Sequence, residues 1–330
     1  MRCKICLCEI VQNQPNLNNE YHYNCLKKLF GSKLTSPYLD FDKKSFRTIT
    51  QQNTKGLSIS GAQIKLSAKI VDNKIVPTAL GGEYILKPSP YEYEQTAENE
   101  HVSMLIGESL GIETPPLGLV KFSDGEAVYI IKRFDRESNN KLHQEDLSQI
   151  MGIQRERTGE YKYSKSYEEA AEAIYPASGG KLTVVLKFFK RLLFNFVIGN
   201  GDFHLKNISL TRSLENRTKF YDGLTPNYDS LHTKRYSPGE TEFALSLLKD
   251  GCYTSSHESY GYVTKHDFVA LGEKIGLNSK VVDSSINELL KSKEKILTLI
   301  DFSFLTQEFK EYYTQVVNER LDRFKIMKVT

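Results

Sequence analysis

The stretch Gly201-Asp202-Phe203-His204-Leu205-Lys206-Asn207 decides how this sequence is read. It follows an apolar segment, Lys187 to Ile198, whose buried side is set by Leu186, Phe189, Leu193, Phe196 and Val197 at helical spacing. Gly199-Asn200-Gly201 is a strong helix stop, so Asp202 sits on a loop leaving a buried helix. Asn207 lies five residues on, giving D-x-x-x-x-N, and Asp229 follows in Pro226-Asn227-Tyr228-Asp229. Phosphoryl transfer asks for this set of groups: one carboxylate takes the proton of the attacking hydroxyl, while an amide oxygen and a second carboxylate hold Mg²⁺ against nucleotide phosphates. Asp and Asn beside glycines are also ordinary turn residues, and a bare D-x4-N arises by chance. The loop therefore needs support from elsewhere in the chain.

That support lies upstream. Ile64 to Val71, Glu83 to Lys87 and Ala127 to Ile131 read as short strands. Between them Glu98 to Leu110 reads as a helix, with Val102, Leu105, Ile106 and Leu110 apolar and Gly111 as its stop. Lys87 finishes the apolar strand Tyr84-Ile85-Leu86, where a kinase contacts the α- and β-phosphates. Glu100, thirteen residues later, opens the helix in position to pair with it. An edge-strand lysine and a helix-start carboxylate are the plain alternatives. Ser58-Ile59-Ser60-Gly61-Ala62-Gln63-Ile64-Lys65 is a small-residue turn of the kind that lets backbone N–H groups approach phosphates, or else a hairpin entry.

Downstream of Arg133 the pattern turns helical. Gln144 to Met151 and Tyr167 to Ala173 are short candidates, and Asn207 to Leu210 with Lys219 to Tyr221 suggests a hairpin around Ser213 to Arg217. From Thr264 onward three helical segments are expected. The order is that of an α+β, two-lobed protein-kinase-like fold. Its expected parts are a Cys/His-containing segment at 1–56 packed on the N-lobe, an ATP-binding lobe at 57–132 and a helical catalytic lobe at 133–330.

Composition sets the outer bounds. The 330 residues are 39% hydrophobic and 26% charged, with a net charge of +3, too small to argue for nucleic acid. No apolar stretch approaches the roughly 20 residues that span a bilayer, and the start lacks a signal-peptide pattern. A cytoplasmic protein without direct nucleic-acid or membrane binding is expected. Five cysteines, four of them within the first 25 residues, argue against a disulfide framework in such a chain.

Seven ordered blocks resemble the HipA toxin kinases: Ser58 to Lys65, Tyr84 to Pro88, Asn99-Glu100-His101, Lys132-Arg133-Phe134-Asp135-Arg136, His143-Gln144-Glu145-Asp146, Gly201 to Asn207 and Asn227-Tyr228-Asp229. The resemblance implies a serine/threonine kinase of a bacterial toxin–antitoxin module that uses ATP and Mg²⁺. It assigns Asp202 as catalytic base, Asn207 and Asp229 as Mg²⁺ ligands, and Lys87 as the phosphate-contacting lysine. Ser60 and Gly61 belong to the nucleotide loop, and the backbone near Lys132 and Phe134 holds adenine at the hinge. His204 is similar to the family's catalytic-loop histidine, and Lys206 is placed to approach the γ-phosphate. Characterised members phosphorylate an aminoacyl-tRNA synthetase and autophosphorylate a serine corresponding to Ser58 or Ser60. Only about 56 residues precede the loop, which resembles the short HipT form of three-component HipBST systems. There a small antitoxin replaces the missing N-terminal subdomain, beside a helix-turn-helix DNA-binding partner.

Two rival readings stand beside this one. Small-molecule kinases of the aminoglycoside type use the same Asp, Asn and Asp but lack the Ser-Ile-Ser-Gly loop. A degenerate kinase would serve only as a component of a repressor complex, which the intact Lys87, Asp202, Asn207 and Asp229 oppose. The block His143 to Asp146 reads as helix-start capping that supports the cleft. Arg155 to Lys162 reads as an exposed loop. Finally, Cys3-x-x-Cys6 and His22-x-x-Cys25 have the types and pair spacing of a tetrahedral zinc site, with Cys8 as a spare thiol, or are incidental.

Overall fold

The computed structural model describes residues 1–11, 15–53, 64–137 and 140–326. The Ser58 to Gln63 part of the serine loop therefore lies outside the described residues, and with it Ser58, Ser60 and Gly61. The N-terminal segment holds a small hairpin, β1 (Asn16–Leu17) and β2 (Tyr21–His22), then helices α1 (Tyr23–Phe30) and α2 (Lys43–Asn53). Next come β3 (Leu66–Val71), β4 (Lys74–Pro77), β5 (Tyr84–Pro88), α3 (Thr96–Ser109), β6 (Leu117–Lys121) and β7 (Ala127–Lys132). The five strands make one antiparallel sheet in the order β4-β3-β5-β7-β6.

Both faces of this sheet are covered, which is why its central strands read as continuous apolar runs. The two-residue period of a strand sorts them. On β7, Val128 and Ile130 face the N-terminal segment, whereas Tyr129 and Ile131 face α3. On β5, Tyr84 and Leu86 belong to the first face, so Ile85 and Lys87 fall on the second. The N-terminal segment closes over its face with Cys3, Ile5, Tyr21, Leu26 and Leu29. Gly118 on β6 leaves room for the segment, for a Cβ there would lie 2.8 Å from Ile5 Cγ1.

Beyond the sheet, a short hairpin is formed by β8 (Arg136–Glu137) and β9 (Asn140–Lys141). The helical lobe then runs β10 (His143–Asp146), α4 (Leu147–Ile150), α5 (Tyr167–Ala177), α6 (Leu182–Val197), β11 (Ser209–Arg212), β12 (Gly223–Leu224) and α7 (Ser255–Tyr260). It finishes with α8 (Lys265–Lys274), α9 (Ser279–Lys291), α10 (Lys293–Phe302) and α11 (Gln307–Arg323). Phe188, Phe189, Leu192, Phe196 and Val197 of α6 run through the largest apolar core. A three-stranded antiparallel sheet, β10-β11-β12, lies at the cleft side of this lobe. No helix among the described residues is long and apolar enough to cross a membrane.

Several sequence expectations need correction. Gln144 to Met151 is a strand followed by a single helical turn, because Gln144 and Glu145 pair with Thr211 and Leu210 of β11. The capping expectation holds at Asp146, whose carboxylate accepts the Gln149 N–H at 3.0 Å. Lys219 to Tyr221 is not a strand; β11 pairs instead with Gly223–Leu224, and Asn207 ends a 3₁₀ turn before β11 starts. Four helices rather than three follow Thr264, since α9 and α10 meet at Ser292 with no glycine or proline to announce the break. α5 extends past Ala173 to Ala177 and carries a full capping box between Ser166 and Glu169. Ser166→Ala is expected to cost about 1 kcal/mol of stability, read as a lower urea midpoint at unchanged m-value.

α3 packs on the sheet yet is bonded into the helical lobe. Asn99 Nδ2 donates to His232 O at 2.9 Å, and Asn99 Oδ1 accepts the His232 N–H at 3.0 Å. Ser103 Oγ and Tyr313 Oη share a hydrogen bond of 2.8 Å. All four residues are buried.

Candidate active site

The period that puts Lys87 on the α3 face of β5 meets the period of the helix itself. Ala97 and Met104 of α3 touch the sheet, and Glu100 lies on the same stripe between them. Lys87 Nζ therefore reaches Glu100 Oε1 at 2.7 Å, with both side chains buried. The same ammonium also contacts Asp229 Oδ1. Asp229 follows β12 and holds a left-handed backbone, φ 51°, a conformation Asp adopts more readily than most residues.

Asp202 and Asn207 arrive from the other direction. Two residues past the end of α6 stands Gly199, φ 67°, where a Cβ would lie 2.9 Å from His232 Nδ1, so glycine is required there. A relay of amides then fixes the loop: Asn200 Nδ2 donates to Asn195 Oδ1 at 2.7 Å, and the Asp202 N–H donates to Asn200 Oδ1 at 3.0 Å. Gly201 N–H donates to Thr233 Oγ1 at 2.7 Å. Asn207 Nδ2 donates to the Asp202 carbonyl at 2.8 Å, which leaves Oδ1 as its oxygen donor.

These residues line one cleft of about 610 Å³, together with Lys65, His204, Lys206, Gln144 and Asp146. Lys87, Glu100, Asp202, Asn207 and Asp229 are thus brought together. Lys132 is exposed, its N–H donating to Pro116 O at 2.8 Å, while Phe134 packs its ring 5.7 Å from that of Tyr228; neither lines this cleft.

The electrostatics follow from one cation shared by two carboxylates. Burial opposes the charge on Lys87, but Asp229 and Glu100 outweigh it and raise its pKa. Burial also works against Asp229, yet Lys87 and then Lys65 hold its carboxyl below the usual range. Glu100 is pushed up to about 7, chiefly by burial, with Lys87 opposing and Asp229 reinforcing the rise. Burial lowers the pKa of His204 against the pull of Asp202, so the imidazole is held toward its neutral form. Its Nε2 lies 3.7 Å from Asp202 Oδ1.

Two tyrosines were given no role in the reading of the sequence. Tyr163 Oη donates to Asp202 Oδ1 at 3.0 Å, and Tyr228 Oη donates to the Lys206 carbonyl at 3.0 Å and shares a 2.6 Å bond with Ser209 Oγ. Tyr228 adjoins Asp229 and was within reach of a motif search, but Tyr163 lies in a charged stretch with no local signal. Tyr163→Phe is expected to lower turnover several-fold and shift its pH profile while leaving KM for nucleotide unchanged, because Tyr163 positions Asp202. Steady-state kinetics across pH checks this.

Residues 57–296 match the family described as HipA-like C-terminal domain. A Haemophilus influenzae protein with a provisional kinase description is 34% identical over 336 residues, which cover 97% of this chain and 96% of that protein. Among solved structures, a chain of the Shewanella oneidensis toxin–antitoxin complex of HipA, HipB and operator DNA superposes with a TM-score of 0.62 at 19% identity. That likeness covers 82% of this chain and 65% of the other. The Helicobacter pylori proinflammatory kinase CtkA gives 0.53 at 17% identity, over 81% of this chain and 90% of its own. Both structures have the two-lobed kinase-like fold found here, and the matched sequence places this chain in the HipA-like kinase family.

Proposed function

We propose that this kinase is a cytoplasmic serine/threonine protein kinase, the toxin component of a toxin–antitoxin module of the short HipT type. The observation that carries the reading is the buried Lys87 ammonium held by Glu100 and Asp229 in the cleft that also contains Asp202 and Asn207. The donor set fits ATP·Mg²⁺. Asn207 Oδ1 and the Asp229 carboxylate are hard oxygen donors for the metal, and Lys87 and Lys65 are cations for the phosphates. Bound Mg²⁺ would neutralise charge on the transferred phosphoryl group. Asp202 takes the proton of the attacking hydroxyl, oriented by Tyr163 and by the amide relay from α6. Residues 57–132 then serve as the nucleotide lobe and 133–330 as the catalytic lobe.

An aminoacyl-tRNA synthetase is the first candidate for the protein substrate, and a small antitoxin with a helix-turn-helix protein are the candidate partners. These rest on the family and on HipB in the Shewanella complex. Ser58 and Ser60 are proposed autophosphorylation sites. Phosphates there would each add roughly −2 charge beside a phosphate-binding cleft and weaken nucleotide binding.

Mass spectrometry after incubating the protein with ATP·Mg²⁺ and a cell lysate tests the reading. Phosphate is expected on Ser58 or Ser60 and on one dominant lysate protein, with none in an Asp229→Asn control. ATP turnover without protein phosphate would favour the small-molecule kinase, and no turnover would favour a purely binding role.

A further inference from the structure

Cys3, Cys6, His22 and Cys25 stand apart from the cleft and precede the family match, which begins at residue 57. The first pair sits on a tight turn. Cys3 N–H donates to Cys8 O and Leu7 N–H to Cys3 O, both at 2.9 Å, with Leu7 in the left-handed region at φ 61°. The second pair is delivered by the end of β2 and the first turn of α1. The four ligand atoms all lie within 4.8 Å of one another. Cys6 Sγ and Cys25 Sγ are 3.5 Å and 3.8 Å from His22 Nδ1. A tetrahedral zinc with bonds of about 2.3 Å to sulfur and about 2.05 Å to nitrogen needs N–S separations of about 3.6 Å. The cluster already has the size of the ion's coordination shell. His22 N–H also donates to Cys3 Sγ at 3.4 Å, the kind of outer bond that orients a thiolate ligand. Cys8 is exposed and outside the cluster, and no disulfide joins any of these cysteines.

We propose that Cys3, Cys6, His22 and Cys25 bind one structural zinc ion that fastens the N-terminal segment to both lobes. Four protein ligands close the shell, which suits a structural rather than a catalytic metal. The turn they hold is a junction. Ile5 O accepts from His101 Nε2 of α3 at 3.0 Å, and Lys4 O accepts from Leu119 N–H of β6 at 2.9 Å. Leu7 is buried in the core of the helical lobe, and the Arg2 guanidinium lies 3.1 Å from the centroid of the Phe302 ring at the end of α10. A segment this short has little core of its own, so a metal supplies the fastening.

Zinc content of the full chain, purified without chelator, tests the proposal. About one zinc per chain is expected, lost in Cys6→Ser and Cys25→Ser and kept in Cys8→Ser. Cobalt-substituted wild type should show thiolate charge-transfer and tetrahedral d–d bands, a readout that needs no variant to fold. Removing the metal with chelator should lower the melting temperature, and added zinc should restore it. Folded protein without zinc, unchanged zinc in Cys25→Ser, a disulfide among the four residues, or a melting temperature indifferent to chelator would overturn it.

Discussion

Asp202→Asn is expected to lower phosphoryl transfer on the order of 10²–10⁴-fold while leaving the melting temperature within about a degree of wild type, because it removes a proton acceptor and little else. The carboxylate is half exposed at the cleft and its fixing bonds run through its backbone: the N–H donates to Asn200 and the carbonyl accepts from Asn207. Asparagine keeps both of these bonds and an oxygen for Tyr163. Asp229→Asn should remove activity as completely, through loss of the charge on the proposed metal ligand, and asparagine also tolerates the left-handed backbone there. Phosphate transfer to a protein acceptor, followed by radiolabel with circular dichroism beside it, separates lost chemistry from lost fold. Substantial residual transfer in Asp202→Asn would take the base assignment away from this residue.

The second large effect is on stability. Lys87→Met leaves buried Glu100 and its neighbour Asp229 without their shared cation, and breaking a buried pair from one side costs about 3–5 kcal/mol. The double variant Lys87→Met/Glu100→Met should recover most of that loss and none of the nucleotide affinity, which divides the structural duty of Lys87 from its binding duty. The pH dependence has a defined sign. The folded-state pKa of Glu100 is raised from 4.5 to about 7, so its contribution to stability is full below 4.5 and is lost as pH rises through about 7. Glu100→Gln should therefore flatten the stability profile across that window, and Lys87→Met should be more damaging at pH 8 than at pH 5. Urea unfolding at the two pH values measures both; a penalty larger at pH 5 would reverse the charge assignment.

What the sequence revealed and what it hid divide along physical lines. Glycine stops and apolar runs are local, so the end of α6, the strand ending in Lys87 and the helix bearing Glu100 were all legible. Pairing is not local. Gln144 and Glu145 look helical by composition and become strand only because β11 lies beside them. Tyr163 reaches Asp202 across 39 residues, and no spacing rule links the two. The N-terminal segment was expected to pack on the N-lobe, but not how: Ile5, Tyr21, Leu26 and Leu29, scattered with no single period, share one core with Tyr84, Leu86, Val128 and Ile130 of the sheet. The HipA resemblance supplied the order of the blocks, and the two-residue and 3.6-residue periods explain why Lys87 and Glu100 meet.

The bonds that join α3 to the helical lobe bear on how such an enzyme can be switched. An outward swing of α3, the movement that would part Glu100 from Lys87, would strip Asn99 from His232 and Ser103 from Tyr313. Each buried polar group left unpartnered costs roughly 1–3 kcal/mol. These bonds tie α3 to the helical lobe, so parting Lys87 from Glu100 costs less by a shift of the sheet that carries Lys87 than by an outward swing of the helix.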